Sequence, residues 1–324
     1  MQTELLYRGQ GEPERRHSPP RYQGGEKGTD SPSGYYANHD LADAVNTAIF
    51  LRQPLLVMGE PGTGKTQLAH SIAWEFDLPL HKFNTKMNSA GLDLFYHYDS
   101  VLQFHDAVTL GKQYAPSKYV QYAALGRAIL FSNPPERVSE FLPEKLQDSH
   151  REATQSVVLI DEIDKAPRDF PNDILAETEE LKFAVRETDW DEIPSNPELP
   201  PIVVFTSNQE RNLPEAFLRR CIFYYIPFPS EADLRDIVRR RLTGKHDAGI
   251  QKFLEIRQDD RLVKKPATAE LISWLRVLER IGIGPSEVVE GSDRVRRTYS
   301  VLLKTKEDFE RLTRMEVNAA LKSS

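Results

Sequence analysis

Residues 55–76, LLVMGEPGTGKTQLAHSIAWEF, pass from an apolar run through a glycine-rich loop into a segment of helical pattern. No other stretch restricts the fold as strongly. Gly59, Gly64, Lys65 and Thr66 fall at the spacing G-x-x-x-x-G-K-[ST], and a strand before it with a helix after it is the context in which that spacing carries meaning. Glycines let successive backbone N–H groups turn inward on an oxyanion, and the N-terminus of the following helix adds partial positive charge. The segment predicts a cradle for the phosphates of a nucleotide, built from Gly59, Glu60, Pro61, Gly62, Thr63, Gly64, Lys65 and Thr66, with Gln67 next on the helix. In that cradle Lys65 reaches the β- and γ-phosphates and the Thr66 hydroxyl helps to hold Mg²⁺.

Four more short apolar runs, LHKFN (80–84), VVLI (157–160), IVVFT (202–206) and IFYYI (222–226), recur at long intervals. Helix-like or charged segments mostly separate them, which predicts buried strands of a parallel α/β sheet. After Pro229 the strands stop. SEADLRDIVRRRL opens with Ser230 and has Asp233 three residues on, a capping-box arrangement. Three further helical segments follow, the last with Thr305 as its cap, so a small all-α domain closes the chain. Asn38 is placed to cap a helix that carries Leu41, Val45, Ala48 and Ile49 on one face. Residues 8–34 combine Gly, Pro, Ser and charge with little to bury, and residues 1–34 are expected to form a disordered tail.

Composition narrows the classes of function. A net charge of −7 gives no overall attraction to nucleic acid or anionic membrane. The single cysteine, Cys221, cannot form an internal disulfide, and its apolar neighbours predict a buried, inert thiol. No run of eighteen apolar residues and no leader-like h-region occurs, so a soluble cytoplasmic protein without membrane insertion is expected. The eight histidines are scattered, without H-E-x-x-H or cysteine partners, which argues against a zinc site.

Three strand-end features extend the phosphate loop towards chemistry. In VVLIDEIDKA, Asp161 and Glu162 close an apolar run, where carboxylates point out of the C-terminal edge of a sheet. Asp161 can hold Mg²⁺ through water, and Glu162 can polarise an attacking water as general base. Asn208, after the next apolar run, can hydrogen-bond the γ-phosphate or the lytic water, or can simply form a turn. Arg219 and Arg220, before the last strand, can stabilise developing charge on the γ-phosphate or form surface ion pairs.

GEPGTGKT, VLIDEIDKA, TSN and LPEAFLRRC, in that order, resemble the AAA+ ATPases, and within them the MoxR and dynein-related branch. The resemblance covers roughly residues 35–228 and is weaker over the helical tail. It implies a three-layer sandwich with a sheet in the order 5-1-4-3-2, an α-helical lid over residues 229–324, ATP and Mg²⁺ in the cleft between, and a ring, commonly a hexamer. Residues 59–66 match Walker A, Asp161 and Glu162 Walker B, and Asn208 sensor 1. One of Arg219 and Arg220 matches the arginine finger given to a neighbour's site, with Arg220 favoured by its place just before the strand.

Two departures stand out. Where many relatives carry a sensor 2 arginine, KKPATAELISW offers Ala269 and Glu270, with Arg276 and Arg294 as poor substitutes. Between Asn84 and Val157 the chain spends more than 70 residues, far above ordinary loop lengths, so an insertion at about 86–156 needs structure of its own. Its aromatics Phe95, Tyr96, Tyr98 and Phe104 either pack that insertion onto the sheet or grip a client. LAETEELKFAVRE resembles a helix leading into a pre-sensor hairpin.

The resemblance implies an oligomeric ATPase that remodels or activates a protein client, with von Willebrand factor A domain proteins as frequent partners. A nucleic-acid motor or loader of related fold is the alternative, motivated by Arg239, Arg240 and Arg241 and by Arg296 with Arg297. A nucleotide switch without turnover is the third reading, and requires Glu162 to be idle.

Overall fold

Three of the apolar runs, at 55–59, 157–161 and 202–207, become strands buried on both sides of the pleat, while those at 80–84 and 222–226 form the half-exposed edges. The computed structural model describes residues 6–11, 21–22, 31–109, 111 and 114–312. Nine strands are found among these residues: β1 (Leu55–Gly59), β2 (Leu80–Asn84), β3 (Tyr96–Tyr98), β4 (Val120–Tyr122), β5 (Val157–Asp161), β6 (Lys182–Phe183), β7 (Ile193–Pro194), β8 (Ile202–Ser207) and β9 (Ile222–Ile226). Five of them form the main sheet, in the order β2-β5-β8-β1-β9, and the pairs β1–β8, β5–β8 and β2–β5 are parallel. The strand labels differ from the expected order because β3, β4, β6 and β7 lie outside this sheet. Counted alone, its five strands read 5-1-4-3-2 from the β9 edge.

Contacts divide the chain into two compact units. The first comprises Met1–Ser33, Ala37–Met58 and Lys65–Tyr225. Here Leu56, Met58, Val158, Ile160, Val203 and Phe205 pack with the helix Ala124–Ser132 and with Phe170 and Phe217. Their alternates Leu55, Val57, Val157, Leu159 and Val204 are equally buried, and the helix Lys65–Glu75 packs on β2, β5 and β8. Covering both faces in this way is what a parallel sheet requires. The long insertion does have its own structure: the antiparallel hairpin β3–β4, the helix Ser100–Thr109 and the helix Ala124–Ser132. Its aromatics divide. Phe95 and Tyr96 are buried beside Phe183, the Tyr96 hydroxyl donates to Glu187 at 2.9 Å, and Phe104 is exposed. The short pair β6–β7 forms the hairpin expected after LAETEEL.

The expectation of a disordered stretch through residue 34 is corrected wherever those residues are described. Tyr7 is buried, its hydroxyl donates to Ser71 Oγ at 2.9 Å, and its main chain exchanges two hydrogen bonds with the Asn46 amide. The buried carboxylate of Glu75 accepts from the N–H groups of Arg8 and Gly9. Trp74 Nε1 donates to the carbonyl of Gly11 at 2.9 Å, and Asp77 accepts from the N–H groups of Arg21 and Tyr22. Composition misleads here because two tyrosines and a few main-chain donors are enough once buried acids face them. The rest of that stretch lies outside the described residues.

The second unit comprises Gly34–Tyr36, Gly59–Gly64 and Ile226–Ser324. The Ser230 cap and its reciprocal bond from Asp233 start the helix Glu231–Arg241, as the sequence predicts. With the helices Asp247–Arg257 and Thr268–Arg280 it encloses a core around Phe253, Leu271, Trp274 and Tyr299. Trp274 Nε1 is satisfied by Thr298 Oγ1 at 2.6 Å. Thr305 Oγ1 accepts from the Asp308 N–H at 3.1 Å, the cap expected there. The second unit thus includes residues Gly59–Gly64 of the glycine-rich loop beside the helical tail. Among the described residues no helix is long and apolar enough to cross a membrane.

Candidate functional site

The loop after β1 takes its shape from glycine. Gly59, Gly62 and Gly64 have φ of +156°, +78° and +92°, and the last two lie where side chains are strongly disfavoured. At Gly62 a Cβ would stand 2.6 Å from Ala267 Cβ, so hydrogen is the only substituent that fits. Thr63 closes the turn by donating Oγ1 to the Glu60 carbonyl at 2.8 Å. Glu60 itself is held by Arg257, a buried guanidinium that also donates to the Pro266 carbonyl at 2.7 Å and lies over the Phe228 ring. Pro61 is exposed. The helix Lys65–Glu75 then begins with buried Lys65, followed by Thr66 and Gln67, whose Oε1 is buried with no hydrogen-bond partner.

Thr66 and Asp161 are brought together. Thr66 Oγ1 donates to Asp161 Oδ1 at 2.9 Å, and Thr206 Oγ1 donates to the same oxygen at 2.7 Å. Lys82 Nζ is 2.7 Å from Asp161 Oδ2. Burial pushes the Asp161 carboxyl up, but the bonds from Lys82, Thr206 and Thr66 outweigh it and hold the group below the ordinary carboxylate range. Asp161 is therefore an anion held by three donors, two on Oδ1 and one on Oδ2.

Next to it, Glu162 has φ +58° and ψ +52°, a left-handed conformation that a non-glycine residue adopts at a cost. Thr206 holds it there, since its Oγ1 accepts from the Glu162 N–H at 2.9 Å while donating to Asp161. The Glu162 side chain carries Lys165 Nζ on Oε2 at 2.6 Å and accepts from Asn208 Nδ2 on Oε1 at 3.2 Å. Asn208 is positioned in turn by buried Asp164, whose carboxylate accepts from the N–H groups of Asn208 and Glu210. Strand register explains the grouping: Asp161 pairs with Asn84 on β2 and lies one step beyond the Ile160–Phe205 pair towards Thr206 on β8.

The expected Asp161, Glu162, Asn208 and Thr66 thus form one cluster. Thr206, Asp164, Lys82 and Lys165 belong to it as well and were not singled out from the sequence. Thr206 was marked by being a hydroxyl inside an otherwise apolar buried strand. Arg219 and Arg220 are not brought to the cluster: Arg219 pairs with Glu215, and Arg220 with Glu179 at 2.9 Å. Cys221, half-buried, has its thiol pushed up to about 12 by burial, which makes it a poor nucleophile.

Oxygen donors of this kind suit Mg²⁺. The Thr66 hydroxyl and the Asp161 carboxylate are already within hydrogen-bond distance of each other, and one carboxylate with a hydroxyl is a common protein contribution where phosphates and water complete the shell. Among the described residues no group of three or more His, Cys, Asp or Glu is arranged to hold a metal by itself.

The family model described as "ATPase family associated with various cellular activities (AAA)" matches residues 55–228, more than half of the chain. Among curated proteins none matches. The fold is similar to that of a proline-to-glycine mutant of RuvB from Thermotoga maritima, at 17% identity and a TM-score of 0.46, covering 85% of this chain and 70% of that chain.

Proposed function

We propose, for a chain that belongs to the ATPase family associated with various cellular activities, that it hydrolyses ATP with Mg²⁺ in an oligomeric ring and couples turnover to the remodelling of a protein client, as MoxR-like members do. The observation that carries this reading is the single hydrogen-bonded cluster of Thr66, Asp161, Glu162, Thr206 and Asn208 at the C-terminal ends of β5 and β8. Mg²⁺, when bound, would neutralise charge on the β- and γ-phosphates, and Thr66 and Asp161 are the residues that would hold it. Lys65 would pair with the same phosphates as a point charge. Glu162 takes the proton of the attacking water, for which it must first give up Lys165, and Asn208 keeps its carboxylate oriented during that exchange.

Arg219 and Arg220 are exposed and engaged away from this cluster, which supports their being supplied to a neighbouring subunit, Arg220 in first place. A ring, six-membered by family analogy, follows from that need. The net charge of −7 favours a protein client over nucleic acid, and a von Willebrand factor A domain protein is the partner class that the branch suggests. Two arginines of the basic runs are engaged within the second unit, Arg240 over the Tyr36 ring and Arg296 with Asp293 at 2.7 Å.

The test is ATP turnover as a function of protein concentration, followed by titration of wild type with Arg220→Ala subunits. Specific activity is expected to rise with concentration, and the mixture is expected to lose more activity than the fraction of variant added. Turnover independent of concentration and strictly proportional to wild-type content would remove the shared site.

A further inference from the structure

Lys82 occupies a place that the proposed chemistry does not use. It lies on β2, the edge strand, opposite Leu159, while Asp161 lies opposite Asn84 two positions on. Lys82 and Asp161 are therefore diagonal neighbours on one face of a parallel pair, and a lysine stem leaning along the strand spans that diagonal. Its ammonium rests 2.7 Å from Asp161 Oδ2, and no other ion pair holds Lys82 among the described residues. The two lone pairs of Oδ1 already receive Thr66 and Thr206, so Oδ2 is the oxygen left for a cation, and Lys82 is on it.

The surroundings separate this pair from an ordinary surface salt bridge. The Asp161 side chain is 11% exposed, so its charge needs a counter-ion when no metal is present. The Lys82 side chain is 35% exposed, and at a sheet edge it can swing into water without disturbing the packing. An ammonium and a divalent cation sharing one carboxylate would repel each other at short range in a partly desolvated site. Holding both ions there at once is unfavourable.

We propose that Lys82 is the resident counter-cation of Asp161, which holds its carboxylate through Oδ2 in the nucleotide-free protein and would be displaced when Mg²⁺ arrives with the triphosphate. This rests on the reading of the loop and the acidic pair as an Mg–nucleotide site. Lys82 is a positioning residue: it balances the charge of Asp161 and holds its carboxylate oriented, and it sets the concentration of Mg²⁺ needed to load the site. Without Lys82, Mg²⁺ meets no competitor, whereas nucleotide without metal meets a more negative site.

The experiment measures binding of a fluorescent ATP analogue across a Mg²⁺ titration and in chelator, for wild type, Lys82→Gln, Lys82→Arg and Lys65→Ala. Lys82→Gln is expected to lower the half-saturating Mg²⁺ about ten-fold, the factor a charge-assisted hydrogen bond commonly carries, and to weaken metal-free binding. Lys82→Arg is expected to keep the wild-type midpoint. A merely structural role would shift binding with and without Mg²⁺ in the same direction, and that result, or an unmoved midpoint, overturns the proposal. Failure of wild type to bind nucleotide better than Lys65→Ala would overturn the nucleotide reading itself. If Lys82→Gln folds poorly, amine acetylation of wild type decides the matter: modification at Lys82 should rise several-fold when Mg–nucleotide is added, and no rise refutes displacement.

Discussion

Thr206→Val removes one oxygen and keeps the shape of the side chain, which makes it the most discriminating perturbation of the cluster. Thr206 is buried, and its hydroxyl accepts from the Glu162 N–H at 2.9 Å and donates to Asp161 at 2.7 Å. Valine fills the volume but leaves that part-buried N–H without its partner, which costs about 1–3 kcal/mol. The lost donor to the Asp161 carboxylate adds roughly 1.5 kcal/mol, at the low end for charged acceptors because Thr66 and Lys82 remain. The expected loss is about 3 kcal/mol. Thr206→Ser keeps the hydroxyl and loses one methyl, for about 1 kcal/mol. The two units give no reason to expect a single unfolding transition, so the readout is amide hydrogen exchange in peptides covering β5 and β8. At 3 kcal/mol, protection there should fall by roughly two orders of magnitude in Thr206→Val, and by less than ten-fold in Thr206→Ser. Turnover should fall with it, because the left-handed backbone of Glu162 loses the bond that fixes it. If the valine and serine variants exchange within three-fold of each other, the hydroxyl is not what holds the acidic pair in place.

Two further expectations concern pH and the loop. Burial and then the charge of Arg127 push the His81 imidazole down from its usual 6.5 to about 4, and its Nε2 is buried without a hydrogen-bond partner. Between those values the unfolded chain binds the proton that the folded one refuses, so stability falls as pH drops from about 6.5 to 4, by about 3 kcal/mol in all, and His81 contributes no slope above that range. Urea unfolding followed by a probe in the first unit should show about 2 kcal/mol of that loss between pH 7 and pH 5 in wild type, and less in His81→Gln. Gly62→Ala places a methyl 2.6 Å from Ala267 Cβ at φ +78°, for about 2 kcal/mol of strain or local rearrangement, and should weaken binding of a fluorescent nucleotide at least ten-fold while the sheet peptides keep their exchange protection.

Much of this molecule was legible in its sequence because burial on both sheet faces leaves a plain mark. LLVMG, VVLID and IVVFTS are apolar at nearly every position, and each is a strand buried throughout. Asp161, Glu162 and Asn208 were legible because polar residues directly after such runs must stand at the sheet's C-terminal edge. Lys82 was not, since a lysine in LHKFN reads as the outward side of a half-exposed strand, and only register brings it diagonal to Asp161. Asp164 was hidden in DEID by two more conspicuous acids, and its partners are main-chain N–H groups, which no sequence pattern distinguishes. The arrangement of Tyr7, Gly9 and Tyr22 was illegible for a related reason: proline and glycine content predicts the absence of helix and strand, and says little about the absence of order when single residues find acids to bond.

That arrangement has a practical consequence. The helix that leaves the phosphate loop is lined on its far side by Tyr7, Gly9 and Gly11, whose bonds end on Ser71, Glu75 and Trp74. Anyone who trims the front of this polypeptide as a dispensable leader, or fuses a bulky tag flush against Tyr7, strips the backing from the element that presents Lys65 and Thr66. A preparation made that way would report on a wounded enzyme, and a low turnover from it would say nothing about the native one.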